Sequence, residues 1–437
     1  GRWHTTGPLK PYLKPGGHGA IWKLARDMKV FDWLRSMGCK KALVRQINNP
    51  IAGIDYGLLA FVGIGYKRNL SFGFASCNRL IKAAEGMVVL KEKEGRVVLT
   101  NVEYCEFAKY GIEDAPLRPN EPYSRFSSNT NILFIDLDAV EKAVETHPFP
   151  GLLLNLKPAC VTDDEGRKRE IQLARLESTM QNIADVFEEP KTATSPIQTA
   201  ATFVTYNQRH KTISVAKKAY IPGKLLLETP EQCFYELLQA NRELLTLCNF
   251  ALPPVRNIEE FLQKGPDALF LYHPALGPLY SVIRQKLRRG SLELGSEWIA
   301  EIAELDVEHL KIDGSLRIYA NQILGPIDAQ SRLHYSARVG RCILRDIVVC
   351  NQGVDWQAGT PHWKMQLRRK ESLEILLQGW SEFDARGVVF EGAHRFVVKD
   401  GVRMVVRQEG RTLQISEEPM PERPLWEYTW KNGVLLN

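Results

Sequence analysis

The sequence predicts an α/β domain followed by a smaller β-rich domain. Over roughly the first 300 residues, short apolar runs typical of strands alternate with segments whose apolar residues recur at helical spacing. After residue 306, short strand-like runs separated by Gly and Asp replace the helical periods. The length of 437 residues suits about two or three domains. We therefore place a domain boundary near residue 306, between 1–306 and 307–437.

The chain opens with a glycine turn, a helix and a strand. Apolar residues at helical spacing predict a helix over 21–36, which would start at the turn Gly16-Gly17-His18-Gly19. The branched run 42–47 predicts a buried strand that ends at Asn48-Asn49-Pro50. Further strands are predicted at 86–92, 97–107, 131–137, 152–156 and 202–206, and helices at 138–146, 172–187 and 230–247.

The second part of the chain predicts mainly strands. They fit successive edges of a β-solenoid or a small β-sandwich, and their spacing is too irregular to predict a strict repeat. Just before them, residues 296–305 predict a helix with Glu297, Glu301 and Glu304 on one face, which we interpret as a solvated face. The predicted strands are 310–318, 340–350, 374–377, 388–390, 395–398 and 403–407.

Composition excludes several classes of protein. There are 57 Lys and Arg against 51 Asp and Glu, a net charge of +6, and the basic clusters lack interleaved aromatic residues, so no nucleic-acid interface is expected. No apolar stretch approaches the about 18 residues that a membrane-spanning helix needs. The eight cysteines form no C-x-x-C pair and lie mostly among apolar residues. We interpret them as reduced thiols in a reducing compartment, with disulfides as the less favoured alternative.

Two polar segments are candidate nucleotide sites. The glycines around His18 leave backbone N–H groups open to a planar base or an anion, although a plain turn explains them equally well. Asn48 and Asn49 follow a predicted strand, and ligands in α/β sheets bind at the carboxyl ends of strands.

Two further segments are candidate sugar and phosphate sites. Asn129, Thr130 and Asn131 offer amides and a hydroxyl that suit a sugar, with an Asn-rich turn as the alternative. Lys217 follows an apolar run and suits phosphate oxygens, with an ordinary surface lysine as the alternative. Since the sequence contains no G-x-S-x-G, H-E-x-x-H or Walker motif, it predicts no nucleophile or zinc chemistry.

Eight short segments carry a family resemblance when they are taken in order: 14–23, 45–50, 73–77, 102–104, 129–131, 155–157, 175–185 and 273–278. In this order they resemble the UDP-sugar pyrophosphorylases, which make UDP-sugars from UTP and a sugar-1-phosphate. Within that family, the sequence is most similar to the divergent plastid UDP-glucose pyrophosphorylase of sulfolipid synthesis and to its bacterial relatives, notably chlamydial ones. Each segment alone is a weak signal, whereas the ordered series is specific.

The resemblance implies a nucleotidyltransferase fold, GT-A-like and Rossmann-like, with helices flanking a mixed sheet in 1–306 and a β-solenoid-like domain in 307–437. It also implies transfer of a uridylyl group from UTP to a sugar-1-phosphate, glucose-1-phosphate first among them. Such transfer proceeds by in-line displacement, which needs alignment and charge neutralisation rather than a nucleophilic side chain. The family's first strand and phosphate loop, upstream of the uracil-binding turn, have no counterpart in these 437 residues.

The resemblance also assigns roles to single residues. Lys217 matches the lysine that pairs with phosphates and is the expected catalytic residue. Asn48 stands where most relatives carry an aspartate that helps to bind Mg²⁺, the expected cofactor, and an amide is a poorer ligand for this cation. The positions expected to bind the nucleotide are Gly16, Gly17, His18, Gly19, Asn48 and Asn49. Those expected to bind the sugar are Glu103, Asn129, Thr130, Asn131 and Glu177.

Two interpretations of the function stay open. The first is a uridylyltransferase whose partners are UTP and a sugar-1-phosphate, with neither nucleic acid nor membrane insertion. The second is a non-catalytic sugar-nucleotide-binding or regulatory protein of the same fold, which Asn48 and the absent phosphate loop favour. The expected compartment is a bacterial cytoplasm, with the plastid stroma as the alternative.

Overall fold

The computed structural model of the chain describes residues 5–7, 9–53, 57–162, 166–191, 201–330, 332–358, 367–422, 425–426, 430–431 and 434–435. Its contacts divide the chain into two compact units: residues 1–47 with 57–212, and residues 48–56 with 213–437. No helix in the described ranges has the length and apolar character that crossing a membrane requires.

The first unit is a mixed sheet with helices on both faces. Its strands are β1 (Thr5–Gly7), β2 (Lys10–Pro11), β3 (Lys41–Val44), β4 (Phe72–Leu80), β5 (Met87–Lys93), β6 (Arg96–Val102), β7 (Tyr123–Asp136), β8 (Leu153–Thr162), β9 (Lys168–Glu177), β10 (Glu189–Pro190) and β11 (Thr202–Asn207). Its helices are α1 (Ala20–Asp27), α2 (Val30–Ser36), α3 (Gly57–Lys67), α4 (Leu137–Thr146) and α5 (Arg209–Thr212), with 3₁₀ helices at Tyr104–Tyr110 and Met180–Phe187.

The long strand β7 organises this sheet. The strand order is β10-β6-β5-β7-β4-β11, with β3 also on β7, and only β4 and β11 run parallel. Leu133 and Ile135 of β7 pack with α1, α2 and α4 in one apolar core. On the opposite face, Phe134 of β7 packs edge-on against Phe61 of α3, with ring centroids 6.3 Å apart. Alternation along one strand thus gives the sheet a covered face on each side.

The second unit contains a parallel β-solenoid. Its helices are α6 (Pro230–Leu247), α7 (Ile258–Lys264) and α8 (Tyr280–Lys286), with 3₁₀ helices at Pro50–Gly53 and Pro274–Leu276. Its strands are β12 (Phe250–Ala251), β13 (Leu269–Tyr272), β14 (Leu287–Leu292), β15 (Glu297–Glu301), β16 (Glu304–Asp313), β17 (Ser315–Ala320), β18 (Arg341–Cys350), β19 (Leu373–Leu377), β20 (Glu382–Glu391), β21 (His394–Val398), β22 (Val402–Glu409), β23 (Thr412–Pro419), β24 (Trp430–Lys431) and β25 (Val434–Leu435).

Successive solenoid strands stack in register. One sheet runs β12-β14-β16-β18-β20-β22-β23 and the other β13-β15-β17-β19-β21, and only the β22–β23 pair among them is antiparallel. Four successive strands of the first sheet each contain a residue with positive φ, and these four residues occupy equivalent positions in the strand register. They are Arg289 (φ 63°), His309 (φ 54°), Asp346 (φ 55°) and Gly387 (φ 61°). The core between the two sheets is continuous and apolar.

The fold class and most of the predicted elements are confirmed, including the helix 230–247, and the solenoid is the correct one of the two β alternatives. Two predicted strands differ in extent: the strand 97–107 ends at Val102, and the strand 310–318 is divided between β16 and β17. Three predicted helices also differ. The helix 21–36 is broken between α1 and α2, where Lys29 adopts φ 56°. The prediction of a helix over 172–187 is wrong, because β9 fills its first half. The helix 296–305 is also wrong, because Glu297 and Glu301 lie in β15 and Glu304 begins β16.

The boundary predicted near residue 306 falls inside β16. The compact second unit instead takes up the chain from residue 213, together with the short segment 48–56. The reason is that the helical segment 230–286 packs on the solenoid core: Leu244 and Tyr280, for example, belong to the same apolar cluster as Leu305. The pattern of the sequence therefore detected where helices give way to strands, near residue 306. The second compact unit begins earlier, at residue 213.

Candidate functional site

The glycine turn lies against the chain that follows β9. The Gly19 N–H donates to the Ser178 carbonyl oxygen (2.9 Å), and the Ser178 N–H donates to the Gly16 carbonyl oxygen (2.8 Å). Gly17 has φ 87°, and a Cβ there would come within 2.3 Å of the Ser178 oxygen. A glycine is therefore required at position 17 both by its backbone conformation and by its close approach to Ser178.

This packing changes the expectation that all the turn's N–H groups face a ligand. The N–H of Gly19 is used by Ser178, whereas those of Gly17 and His18 make no hydrogen bond within the described residues. Two adjacent backbone donors thus stay available at the turn. Adjacent N–H groups of this kind suit a carbonyl oxygen of a base or an anion.

The ring of His18 is oriented by the 3₁₀ helix at Met180–Phe187. The Met180 N–H donates to His18 Nδ1 (3.1 Å). Because Nδ1 accepts this bond, the proton of the neutral ring resides on Nε2. Residue 18 as a whole is exposed, yet the surrounding atoms desolvate the imidazole and lower its pKa. His18 is thereby kept neutral, with an N–H donor on its outer nitrogen.

Glu103 lies where β6 meets the same 3₁₀ helix. Its Oε1 accepts from Gln181 Nε2 (2.6 Å) and from Asn101 Nδ2 (2.8 Å). Gln181 is 0% and Asn101 3% exposed. The amide oxygens of both residues are buried and have no hydrogen-bond partner in the described part of the chain. Each such oxygen costs about 1–3 kcal/mol of desolvation.

Asn129, Thr130 and Asn131 form a bulge in β7. The pairing with β4 shifts here, because Phe74 pairs with Leu133 and Ser76 pairs with Asn129. At the bulge, Asn131 has φ 57°, a conformation that asparagine tolerates better than most residues. Bulges often re-aim side chains beside functional sites.

The three side chains of this bulge have different surroundings. Asn129 Nδ2 donates to Asn131 Oδ1 (2.9 Å), so the two amides hold each other. The hydroxyl of Thr130 donates to the Ala75 carbonyl oxygen (2.5 Å), and Thr130 is only 2% exposed. Thr130 therefore anchors the bulge to β4, while Asn131 is half-buried and remains the more accessible of the two amides.

A continuous series of contacts joins the glycine turn to the bulge. The Asn129 N–H donates to the Gly86 carbonyl oxygen (2.9 Å), and a Cβ on Gly86 would come within 2.3 Å of Asn101 Oδ1. Together with the contacts above, this defines what we call the polar path. Its members, in order, are His18, Met180, Gln181, Glu103, Asn101, Gly86 and Asn129.

Glu177 lies at the turn rather than at the bulge. Its Cβ would be 3.2 Å from a Cβ on Gly17, and its carboxylate forms an ion pair with Arg175. Among the predicted sugar-binding residues, Glu103 and the asparagines are thus connected by the polar path, and Glu177 borders the nucleotide candidates instead.

The second unit brings the remaining candidates together. The Ala216 N–H donates to the Asn48 carbonyl oxygen (2.9 Å), and Asn48 Nδ2 donates back to the Ala216 oxygen (3.2 Å). Asn49 Oδ1 accepts from the Ser214 N–H (3.0 Å). Lys217, which follows Ala216 in the chain, donates from Nζ to Glu228 Oε1 (2.8 Å). Asn48 and Lys217 therefore share one local structure.

These residues do not fit a metal centre built by the protein. The side chain of Asn48 is an amide whose nitrogen already donates to the Ala216 carbonyl oxygen. The amide oxygen of Asn49 already accepts from the backbone N–H of Ser214. Hard cations such as Mg²⁺ favour carboxylate oxygens. Within the described ranges, no group of three or more His, Cys, Asp or Glu side chains is arranged to hold a metal ion.

Comparison with known proteins shows what the chain is similar to. The chain is 36% identical over 455 aligned positions to UTP--glucose-1-phosphate uridylyltransferase 3, chloroplastic, of Arabidopsis thaliana; the match takes in 100% of this chain and 52% of that protein. The chain is a relative of this uridylyltransferase. The resemblance seen in the sequence is thereby confirmed, and the chain spans about half the length of its relative.

Two further matches are narrower: one covers only the C-terminal repeats, and the other shows only a similar fold. Residues 287–435 match the family of UGP3-like C-terminal hexapeptide repeats, which covers the solenoid from β14 onward. A structure from Entamoeba histolytica assigned as a UDP-N-acetylglucosamine pyrophosphorylase aligns with 69% of this chain and 66% of its own, at TM-score 0.51 and 13% identity. This likeness is one of fold.

Sequence reasoning missed the residues that connect the site. Gln181 and Asn101 hold Glu103, and Ser178 supports the glycine turn, yet none was a candidate. The available signal was the segment 175–185, which belongs to the resemblance but falls within the predicted helix 172–187. Its true form, a strand end followed by a 3₁₀ helix, is what presents Ser178 to the turn and Gln181 to Glu103.

Proposed function

We propose that this chain carries out, or forms the larger part of a protein that carries out, uridylyl transfer from UTP to a sugar-1-phosphate. Glucose-1-phosphate is the proposed acceptor, in line with the name of the Arabidopsis relative. The observation that carries the proposal is the polar path, because it links the candidate uridine-binding turn to the candidate sugar-binding bulge through direct contacts within one compact unit.

The two ends of the path suit the two ends of a UDP-sugar. At the turn, the N–H groups of Gly17 and His18 and the Nε2–H of His18 are donors for the carbonyl oxygens of uracil. At the other end, the carboxylate of Glu103 and the amide of Asn131 offer acceptors and donors for sugar hydroxyls. Polar groups fixed in this way align two reactants before reaction, which is a major source of rate acceleration.

The proposed reaction is a direct displacement. A phosphate oxygen of the sugar-1-phosphate forms a bond to the α-phosphorus of UTP, while the bond from that phosphorus to the bridging oxygen of pyrophosphate breaks. Lys217 would neutralise charge that shifts onto the phosphates. Mg²⁺ is the cofactor that the resemblance implies; since Asn48 and its neighbours do not fit it, no step is assigned to it.

A coupled assay of pyrophosphate release with UTP and glucose-1-phosphate tests the proposal. We expect turnover that needs both substrates and that falls when ATP or CTP replaces UTP. Galactose-1-phosphate and N-acetylglucosamine-1-phosphate serve as alternative acceptors. The absence of turnover with every one of these acceptors, in the full-length protein, contradicts a catalytic role.

A sugar-nucleotide-binding protein without catalysis is the second candidate. It is favoured by the amide at Asn48 and by the ion pair between Lys217 and Glu228, which reduces the charge available to phosphate. Isothermal calorimetry separates the two: binding of UDP-glucose without turnover supports the second candidate, and turnover removes it.

We further propose a reducing compartment, either a bacterial cytoplasm or a plastid stroma. All eight cysteines are free thiols, and four of them are buried. The Arabidopsis relative is chloroplastic by name, which supports the stroma without deciding between the two.

A further inference from the structure

The carboxylate of Glu103 is held by two amides that come from different parts of the sequence. Gln181 lies in the 3₁₀ helix at Met180–Phe187, and Asn101 lies near the end of β6. Both donate to the same oxygen, Oε1, at 2.6 and 2.8 Å. Two donors on one oxygen fix the rotation of the carboxylate about its terminal bond, because turning it would break both hydrogen bonds.

This arrangement is poorly suited to stabilising the fold. Gln181 is 0% exposed and Asn101 3% exposed, and each leaves its amide oxygen buried without a partner among the described residues. An apolar side chain of similar size at position 181 would avoid one of these unpaired oxygens. Buried polar groups that are only partly satisfied weaken a core relative to an apolar alternative. Gln181 thus brings a desolvation cost to the fold, and the contact that it gains in return is its hydrogen bond to Glu103.

We propose that Gln181 is a positioning residue for sugar recognition. It fixes the orientation of Glu103, so that the carboxylate meets one hydroxyl of the sugar-1-phosphate at a defined angle. This inference rests on the proposed function, because it takes Glu103 as the sugar-binding group. Gln181 need not touch the sugar, and it distinguishes between epimers only through Glu103.

Loss of the Gln181 side chain should change the KM for the sugar-1-phosphate and leave the KM for UTP nearly unchanged. In Gln181→Met, Glu103 keeps its charge and loses the donor at position 181, so its orientation becomes more variable. We expect the KM for glucose-1-phosphate to rise by roughly tenfold, which corresponds to about 1.4 kcal/mol. The KM for UTP should stay within about twofold, and the preference for glucose-1-phosphate over galactose-1-phosphate should narrow. The melting temperature should stay equal or rise.

A double-mutant cycle decides whether Gln181 acts through Glu103. When Glu103→Gln is already present, adding Gln181→Met should cause little further loss, because the carboxylate to be oriented is gone. Additive losses would overturn the proposal. The matched control is Gln232→Met, because Gln232 Nε2 donates to Glu236 Oε1 at the same 2.6 Å in α6, and its KM values should not change.

Three further outcomes test the positioning role of Gln181 and the proposed function separately. Asn101→Leu removes the other donor and serves if Gln181→Met does not fold; loss of the folded state in both variants would give the pair a structural role and contradict the proposal. If the wild-type protein turns over and Gln181→Met leaves the KM for the sugar-1-phosphate unchanged, the positioning role of Gln181 is overturned and the proposed function is not. A wild-type protein with neither turnover nor UDP-glucose binding overturns the proposed function and this inference together.

Discussion

The polar path of the first unit and the solenoid of the second are built on opposite plans. In the solenoid, equivalent residues stack rung upon rung: the buried side chains of Leu287, Val307, Leu344 and Ala385 follow one another in register. In the polar path, each contact is of a different kind, and several join residues far apart in sequence, such as His18 and Met180. Repetition gives the solenoid redundancy, whereas each residue of the path has no substitute.

The difference separates stability from recognition. A solenoid distributes its stability over neighbouring rungs, and its buried charges are paired: Arg369 donates to both oxygens of Glu297 (2.7 and 2.6 Å), which also accepts from Ser315 Oγ (2.5 Å). The polar path instead holds one carboxylate, that of Glu103, by single amide donors. Both regions contain buried polar atoms without a hydrogen-bond partner in the described part of the chain, such as Gln181 Oε1 and Ser381 Oγ. We therefore expect substitutions in the solenoid to change stability and substitutions in the path to change substrate constants.

The largest expected effect is on stability, in Arg369→Ala. Glu297 is 0% exposed, so removal of Arg369 leaves a buried carboxylate with Ser315 as a remaining partner. Breaking a buried ion pair from one side costs about 3–5 kcal/mol. Urea denaturation followed by circular dichroism should show this loss, while the KM values of the protein that remains folded stay unchanged.

Arg395→Ala is the matched control for this substitution. Arg395 also pairs with a glutamate of the solenoid, Glu374, but at 3.6 Å and with 67% of its side chain exposed. An exposed pair is worth about 0–1 kcal/mol. Equal losses in Arg369→Ala and Arg395→Ala would show that burial does not set the contribution of these pairs.

The second effect is on catalysis, in Lys217→Ala. If Lys217 neutralises phosphate charge, kcat should fall by about 10²- to 10³-fold, as when one preorganised donor is removed from a transition state. Stability should change little, because the side chain of Lys217 is 38% exposed in its pair with Glu228. The neighbouring Lys218→Ala is the control. An unchanged kcat would reassign Lys217 to the surface.

The third effect is on nucleotide binding, in Gly17→Ala. Alanine at φ 87° is strained, and its Cβ would come within 2.3 Å of the Ser178 oxygen, so the turn must shift. A strained position of this kind costs about 1–3 kcal/mol. We expect the KM for UTP to rise by roughly tenfold or more in steady-state assays, with a smaller effect on the sugar.

Gly16→Ala is the control from the same turn. A Cβ on Gly16 meets no atom within 4 Å, so alanine is accommodated without strain. If Gly16→Ala and Gly17→Ala weaken UTP binding equally, then flexibility of the turn, rather than its approach to Ser178, is what the nucleotide needs.

The same contrast explains how much the sequence could predict. Solenoid strands such as β18 were predicted at nearly their full length, because alternation with a buried face is a local pattern. The helix over 296–305 was predicted for Glu297, Glu301 and Glu304, whose spacing imitates a helix face. The burial of Glu297 depends on Arg369, which lies 72 residues away in sequence, and no local pattern contains that information.

The candidate site was predictable where glycine or asparagine marks an unusual backbone. Gly17 in the turn and Asn131 in the bulge both have positive φ, and residue type and order made both segments candidates, although the bulge itself was not predicted. Gln181 could not be predicted in this way, because its contact with Glu103 arises only where the end of β6 meets the 3₁₀ helix at Met180–Phe187. In β9, partly buried Ile171 and Leu173 flank exposed Gln172. This period-two pattern is typical of a strand, and the prediction of a helix over 172–187 did not use it.

The smallest expected effect is a pH dependence that His18 brings to the polar path. Desolvation lowers the pKa of His18 in the folded state, whereas in the unfolded chain it stays near the ordinary value of about 6.5. Between these two values the unfolded state binds more protons, so the contribution of His18 to stability is present above about pH 6.5 and is lost as the pH falls through the lowered pKa.

Protonation also removes the lone pair with which Nδ1 accepts the Met180 N–H, a hydrogen bond worth about 0.5–1.5 kcal/mol. We therefore expect the KM for UTP to rise by roughly 2- to 13-fold on the acid side, and the KM of His18→Asn to lack this dependence. His147→Asn is the control, because His147 is exposed and its ring Nδ1 lies 2.9 Å from the hydroxyl of the neighbouring Thr146. An acid rise that persists in His18→Asn would place the titrating group elsewhere and remove His18 from nucleotide binding.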